Sequence, residues 1–543
     1  DLPQKGYAVF TELVAQPMDP QIRAKLADGL FRALAEQLKK PRPSDEQVKA
    51  FMRLVEDEPK RAEWAANPLL FSLAAYIYVS ASTGQGVELP VELPTSRVTL
   101  YRQFIQTLLA KVVRKRQDEG TGVGLESAVR REMMRILAEV AVRLYDLTAD
   151  TGAGQARVFT EGQLNSVVED TRDALRLYSN APARMSEWVV ASGTLSVIRP
   201  QTFAFRHPTY REYLATLGHV FRLVKEKEQL ADVDAVRMKS EWAEPMRMLA
   251  GVLVSVAHEE PKGNALAKSW LEGLFTATRQ GAPDEHIDAL ETLIASLYEI
   301  PGVEAFAQTE QVDTKTMLLA WVEALLYYAQ QNDREPLARL QRLSPGVATL
   351  PVTMAQPALA RLERSLALDA TPEQQRAGAK ALAGMGSLVT NFAPLLRLLR
   401  DGQDESARIE AAHTLVSIER ADQSHPGCAA LRALLNGPDV SLAALVAQGL
   451  TGVDHPAAIS LMLIAVELAR DPNLRRLGAL ALGSVGARAK DALNRLSYDA
   501  DPEVANAALD ALVRLGEDRS QLASAIEQQA RQGADVSSVL QAL

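Results

Sequence analysis

The stretch FRHPTYREYLATLGHV, residues 205–220, decides how this chain is read. Just before it, LSVIR at 195–199 and TFAFR at 202–206 alternate in polarity about Arg199-Pro200-Gln201, which predicts a small β-hairpin. Upstream the sequence is helical. Leu100, Phe104, Ile105, Leu108 and Leu109 repeat at helical spacing, as do Met133, Ile136, Leu137 and Val140. Helices closed by a terminal hairpin describe a winged helix. No basic recognition helix accompanies it, so a role on DNA is not expected.

Further towards the N-terminus, residues 15–38 place Ile22, Leu26, Leu30, Leu34 and Leu38 four apart, predicting an amphipathic helix with those residues on its apolar face. PRPSDEQ at 41–47 breaks it, and Ser44 with Gln47 has the spacing of a capping box for the next helix. NPLLFSLAAYIYV at 67–79 starts on Asn67-Pro68, where proline costs no intrahelical donor, and its apolarity on every side predicts burial. TGQGVELPVELPTSR at 83–97 reads as a linker.

The 543 residues exceed one hydrophobic core and divide into several domains. With 47% hydrophobic but only 5% aromatic residues, the interior must be built from Ala, Leu and Val, which suits closely packed helices. A net charge of −9 provides no electrostatic footprint for nonspecific nucleic-acid or anionic-membrane binding. The basic run KVVRKR at 111–116 fits the solvated end of a helix, where cations oppose the dipole. Cys428 is the sole cysteine, which excludes an internal disulfide, argues for a reducing compartment and reads as a small core residue. No apolar run approaches the roughly 20 residues needed to span a bilayer, and the start lacks the pattern of a signal peptide, so a cytoplasmic protein is expected.

Chemistry is sparse. A phosphate-cradling GxxxxGK[ST] loop cannot occur, because no Gly is followed by Lys. GTGVG at 120–124 and GAGQA at 152–156 read as flexible loops. The histidines at 219, 258, 286, 413, 425 and 455 never form the HxxxH or HxH spacing of a metal site. Glu212 stands among apolar neighbours in sequence without a second carboxylate, and a structural hydrogen bond is its expected role. There is no G-x-S-x-G elbow and no recognisable active site.

Beyond about residue 370 the sequence repeats. Leu382, Leu415, Leu450, Leu482 and Leu512 recur at roughly thirty to thirty-five residues, the period of helix-pair solenoids. DPNLRRLGALALGSVG at 471–486 and DPEVANAALDALVRLG at 501–516 superpose: Asp caps a helix, Pro starts it, small residues allow close packing and Gly ends it. These segments look like short, Ala-rich HEAT repeats, whose stacked array offers a concave surface to a partner or serves as an architectural spacer.

Residue by residue, Phe205, His207, Thr209, Tyr210, Glu212, Tyr213, Leu214 and Ala215 resemble the F-x-H-x-T-F-x-E-Y-L-A signature closing the winged helix of NACHT-type signalling ATPases of the STAND class, with Tyr210 in place of the commoner Phe. Ser192, Gly193 and Leu195 resemble that family's small-Gly-x-Leu approach to the wing. Pro94, Arg97, Leu100 and Tyr101 look like the P-x-x-R-x-x-L-Y start of the domain, and WAEPMRMLAGVLV at 242–254 resembles the first helix of the domain that commonly follows. The resemblance implies a mainly helical chain with a small β-hairpin wing. Its expected segments are a helical subdomain at 1–92, the winged helix at 93–222, a connecting helical domain at 223–345 and a HEAT-like array at 346–543.

It further implies that this is the C-terminal portion of a longer protein. The P-loop, the magnesium-binding acidic strand and the sensor region would lie in an upstream NTPase half. ADP or ATP with Mg would be the cofactors of the complete protein. His207 would reach the β-phosphate of ADP and Pro68 would pack on the adenine. A neutral imidazole can donate one hydrogen bond to an anionic oxygen, and protonation is expected to strengthen it. Two readings of each stay open: ligand contact, or satisfied core histidine for His207 and plain helix starter for Pro68. The resemblance also implies a protein trigger on the array, an effector, homo-oligomerisation on activation and a setting in antiphage defence. An α-solenoid scaffold and a STAND-class transcription regulator are the alternatives.

Overall fold

The computed structural model describes residues 18, 20–38, 43–81, 93–118, 126–151, 158–175, 187, 189–280, 283–418, 426–453, 456–467, 471–484 and 489–516. Among the described residues the chain is mainly helical with one small sheet, and it divides into two units, Asp1–Val312 and Asp313–Leu543. That division falls inside the segment 223–345 expected to be one connecting domain. Most of the expected linker at 83–97, both glycine-containing loops, His425 and His455 lie outside the described residues. Among the described residues, no helix is long and apolar enough to cross a membrane.

The first unit begins with α1 (Pro20–Leu38), α2 (Asp45–Glu56), α3 (Pro59–Ala65) and α4 (Pro68–Ala81). Ser44 and Gln47 form the expected capping box at the start of α2. In α1 the buried face is not the leucine row. Ile22 is 51% exposed, while Ala27, Phe31 and Ala35 are buried. An aromatic cluster explains the rotation: Phe31 packs on Phe51 with centroids 5.1 Å apart and on Tyr78 at 5.7 Å, and Phe51 on Phe71 at 5.4 Å. Alanines one turn to either side of Phe31 let the helix approach those rings. In α4, every residue from Leu73 to Val79 is buried, as its all-round apolarity requires.

Next come α5 (Arg97–Asp118), α6 (Glu126–Thr151), β1 (Val158–Thr160), α7 (Glu161–Leu175), β2 (Leu195–Arg199), β3 (Thr202–Phe205) and α8 (Pro208–Val224). β2 and β3 form the expected hairpin, with a register irregularity between Val197 and Arg199 and left-handed Gln201 (φ 59) at the turn. A third strand was not expected: β1 pairs antiparallel with β3, Phe159 opposite Phe203, in the order β1-β3-β2. Only three residues long and 42 positions before its partner, β1 is too short for alternation to reveal it. α8 packs on α6, and Gly218 permits the contact, since a Cβ there would lie 2.9 Å from the Ala138 carbonyl oxygen. After α8 the unit continues through α9 (Leu230–Arg237), α10 (Ala243–Val256), α11 (Gly263–Gln280), α12 (Pro283–Glu299) and α13 (Val303–Glu310). α10 packs against α5, α8, α11 and α12.

The second unit opens with α14 (Thr314–Gln330), α15 (Arg334–Gln341), α16 (Ser344–Ala348) and α17 (Val352–Ser365). It continues through α18 (Pro372–Met385), α19 (Ala393–Asp401), α20 (Glu405–Ser417), α21 (Pro426–Leu435), α22 (Val440–Gly449), α23 (Pro456–Glu467), α24 (Pro472–Leu482), α25 (Lys490–Leu496) and α26 (Pro502–Arg514). α18, α20, α22, α24 and α26 stack in succession, and α19, α21, α23 and α25 each pack on the helix that follows. The stacked helices share one start signal, a side-chain cap from Thr371, Asp404, Asp439, Asp471 and Asp501. The five periodic leucines are all buried, and Cys428 is buried as expected. The result is a solenoid-like stack of helix pairs.

Candidate functional site

His207 sits where β3 hands over to α8, in extended backbone (φ −140, ψ 141), and serves as the N-cap of the helix. Its Nδ1 accepts the Thr209 backbone N–H at 3.2 Å and lies 2.9 Å from Thr209 Oγ1. A backbone N–H can only donate, so Nδ1 is the unprotonated nitrogen and the neutral ring carries its proton on Nε2. Burial pushes the His207 pKa down, in the same direction. Protonation would remove the acceptor that caps α8, so the expectation that a charged imidazole would serve better gives way to a neutral Nε2–H donor held by the helix start.

The motif residues pack around that donor. Tyr210 lies beside the His207 ring at 5.9 Å and against Phe104 at 5.6 Å, and Phe104 meets Tyr76 of α4 at 5.2 Å. Thr209 hydrogen-bonds Tyr101, whose pKa burial pushes up to about 12. Tyr101 packs on fully buried Tyr213 at 5.8 Å. Phe205, half-buried, faces Phe159 of β1 at 6.2 Å. Gly193, on the approach to β2, has φ 80, a conformation that favours glycine. Pro68 is exposed at the first position of α4, and Asn67 caps that helix by accepting the Leu69 N–H at 2.9 Å. The structure thus links α4 to His207 through Tyr76, Phe104 and Tyr210.

Glu212 does not stand alone. The fold brings Glu244 of α10 close enough that burial and this second carboxylate hold Glu212 above its ordinary pKa, against the opposing pull of Arg211 and Arg97. Among the described residues its carboxylate takes part in no side-chain hydrogen bond, so the expected structural bond is absent; only its backbone carbonyl accepts, from Thr216 Oγ1 at 2.9 Å.

The centre of this ionic cluster is Arg97. It bonds Glu299 at the end of α12 and Glu244 at 2.6 Å, while Arg247 bonds Glu244 at 3.2 Å. Although burial opposes its charge, Arg97 is held well above its ordinary pKa by Glu299 and Glu244. Glu299 is 3% exposed and burial raises its pKa, partly offset by Arg97. Burial is outweighed at Glu244, which Arg97 and Arg247 hold below its ordinary value. Glu244 and Glu299 lie 147 and 202 positions after Arg97, so no local spacing could have revealed them.

Of the other histidines, His219 is buried, with Nδ1 2.8 Å from Glu228 and its ring against Trp242 at 4.7 Å. His413 Nδ1 lies 3.1 Å from the Gly449 carbonyl oxygen, joining α20 to α22. Both act in packing.

No protein-family model matches the chain, and no curated protein matches it. Among solved structures, the chain is similar to the crystal structure of She4p at 12% identity, over 91% of this chain and 70% of that one, with a TM-score of 0.18. A similarity this low carries no residue of the site across.

Proposed function

We propose that the chain is the regulatory and sensor portion of a NACHT/STAND signalling ATPase. In this reading, residues 93–222 are its winged helix and residues 346–543 its HEAT-like sensor array. The observation that carries it is His207: an imidazole whose Nδ1 is consumed in capping α8, leaving a neutral Nε2–H to donate to an anionic oxygen. His207 would hold the β-phosphate of ADP, and Pro68, exposed on α4, would lie against the adenine. The phosphate loop and the magnesium ligands belong to a proposed upstream NTPase half. Bound ADP would favour the closed, monomeric state. A protein trigger on the array would release the winged helix, permit exchange for ATP and drive homo-oligomerisation that activates an effector, in cytoplasmic antiphage defence.

A constitutive α-solenoid scaffold is the second reading, favoured by the regular stack from α18 to α26. A transcription regulator is less well supported, because α7, the helix entering the sheet region, carries four acidic residues and one arginine and would be repelled by phosphates. The test is the nucleotide content of the complete protein, released by denaturation and identified by chromatography. Bound ADP at one per chain is expected; nucleotide-free protein overturns the reading in favour of the scaffold. With residues beyond 345 removed, ADP should stay bound while the response to the trigger disappears.

A further inference from the structure

Among the described residues β2 is an edge strand, the sheet order being β1-β3-β2. The Arg206 N–H donates to the Thr194 carbonyl at 2.9 Å, so Thr194 and Ser196 turn their backbone groups towards β3 and Val197 turns its own outward. The other side of the sheet keeps the same parity. There the Glu161 N–H donates to the Gln201 carbonyl at 2.9 Å, which sets Phe203, the cross-strand partner of Val197, towards β1.

The side chains on this edge are also left open. Phe159, Phe203 and Val197 stand opposite one another across the three strands and so share one face. Phe159 is 3% exposed and Phe203 8%, but Val197 is 61% exposed: the apolar row runs one strand beyond its cover. Ile198, which the register irregularity leaves outside the β2–β3 pairing, is 54% exposed. Native edges are shielded by charges and irregularities, but here Arg199 and the irregularity sit only at the turn.

The charge of the hairpin states what could cover it. Residues 188–211 hold Arg199, Arg206 and Arg211 but no Asp or Glu, in a chain of net charge −9. Arg211 is taken up against the Tyr145 ring at 4.6 Å. Arg199, at the end of β2, and Arg206, bonded through its backbone to Thr194 at the start, are both exposed, and among the described residues neither forms a salt bridge. Glu161, whose N–H reaches the turn, belongs to the β1 edge.

We propose that the outer edge of β2 docks an extended acidic segment of a partner protein by strand addition. Backbone bonds form at Val197, an apolar side chain of the partner extends the Phe159–Phe203–Val197 row, and its carboxylates meet Arg199 and Arg206. A second copy does not fit, because edge-to-edge pairing would gather the unpaired arginines of both hairpins with no carboxylate between them. This surface lies in the first unit and needs neither a nucleotide nor the array, so it holds independently of the function proposed above.

The experiment is fluorescence anisotropy of the labelled heptapeptide DTVTVTD, blocked at both ends, titrated with the 543-residue chain at low and moderate salt. Saturation with a Kd of about 1 mM or below is expected at low salt, weakening as salt rises. N-methylation of both valines, which removes their donors, and KTVTVTK, which reverses the charge, should each weaken binding by about tenfold. Val197→Pro deletes the outward N–H without touching a β2–β3 bond and should weaken binding by about tenfold at an unchanged melting temperature. Val197→Asp keeps the backbone donor and repels the acidic peptide, so it tests the edge even where proline unsettles the hairpin. Arg199→Glu and Arg206→Glu should each weaken binding by about threefold to fivefold. Absence of saturation at several millimolar peptide, equal binding of the N-methylated peptide, or indifference to both Val197 variants would overturn the assignment. So would cosedimentation with vesicles of equal parts phosphatidylserine and phosphatidylcholine that Ile198→Glu abolishes, which would make the patch a lipid contact.

Discussion

The imidazole Nδ1 of His207 accepts the backbone N–H of Thr209 at 3.2 Å, so one side chain starts α8 while its Nε2 carries the proton. The two roles can be separated. His207→Asn keeps an acceptor for the helix start and removes the Nε2–H donor; His207→Ala removes both. Asn should leave the thermal midpoint close to the parent, while Ala should cost about 1 kcal/mol, the usual worth of an N-cap. Both should lower ADP retention in the complete protein. Equal destabilisation by the two would show that the cap is not carried by the side chain.

The same bond has a pH dependence. The folded pKa of His207 lies below its ordinary value of 6.5, so the unfolded chain binds the proton first. The capping contribution is therefore full above pH 6.5 and is lost as the pH falls through the depressed folded value. Thermal melts between neutral pH and pH 5 should show a fall that His207→Asn removes.

At the ionic cluster, opposite signs are expected from adjacent changes. Arg97→Leu takes the bonded guanidinium from Glu299, 3% exposed, and should destabilise by about 3–5 kcal/mol. Glu212→Gln should stabilise at neutral pH. Because the folded pKa of Glu212 is raised above 4.5, its ionisation penalises the folded chain as the pH rises through that raised value, and the glutamine removes the penalty. The gain should vanish below pH 4.5, where the carboxyl is protonated in both states. A gain that persists in acid would place its origin in packing instead.

Asp499 ties successive helix pairs of the second unit. It receives two parallel bonds of 2.8 Å from Arg475 of α24 and accepts the Asp501 N–H at 2.9 Å. Although burial opposes it, Arg475 and that backbone bond hold its pKa below 3.8, so its contribution is present above pH 3.8 and lost as the pH falls through the folded value. Asp499→Asn should cost about 1.5–3 kcal/mol at neutral pH and blunt the acid unfolding of this unit, read by circular dichroism.

Two glycines should respond oppositely to one substitution. A Cβ at Gly449 of α22 would stand 2.6 Å from the Ala412 Cβ and 2.8 Å from the Ile409 carbonyl oxygen of α20. Gly449→Ala should therefore cost about 1–3 kcal/mol through overpacking, more than the helix-propensity gain. Gly273 of α11 is exposed with nothing within 4 Å of its Cβ position, and Gly273→Ala should stabilise by about 0.5–1 kcal/mol. Melting temperatures of the pair decide it.

What was legible by itself was local. Capping at Ser44 and the Asp starts at 471 and 501, the β2–β3 hairpin and burial of α4 and of the periodic leucines all depend on neighbours within a few residues or on a fixed period, and the structure carries each of them. What required tertiary structure were the relations over long separations. Phe31 rather than the Leu26–Leu30–Leu34 row faces the core because Phe51 and Tyr78 pack on it. β1 exists only through its pairing with β3, the Tyr213 hydroxyl is left unpartnered by the helices around it, and Glu212 is perturbed by Glu244 from another helix. Periodicity shows which residues share a face, but which face meets which partner is settled by close packing among helices distant in sequence, where one ring or one carboxylate tips the balance.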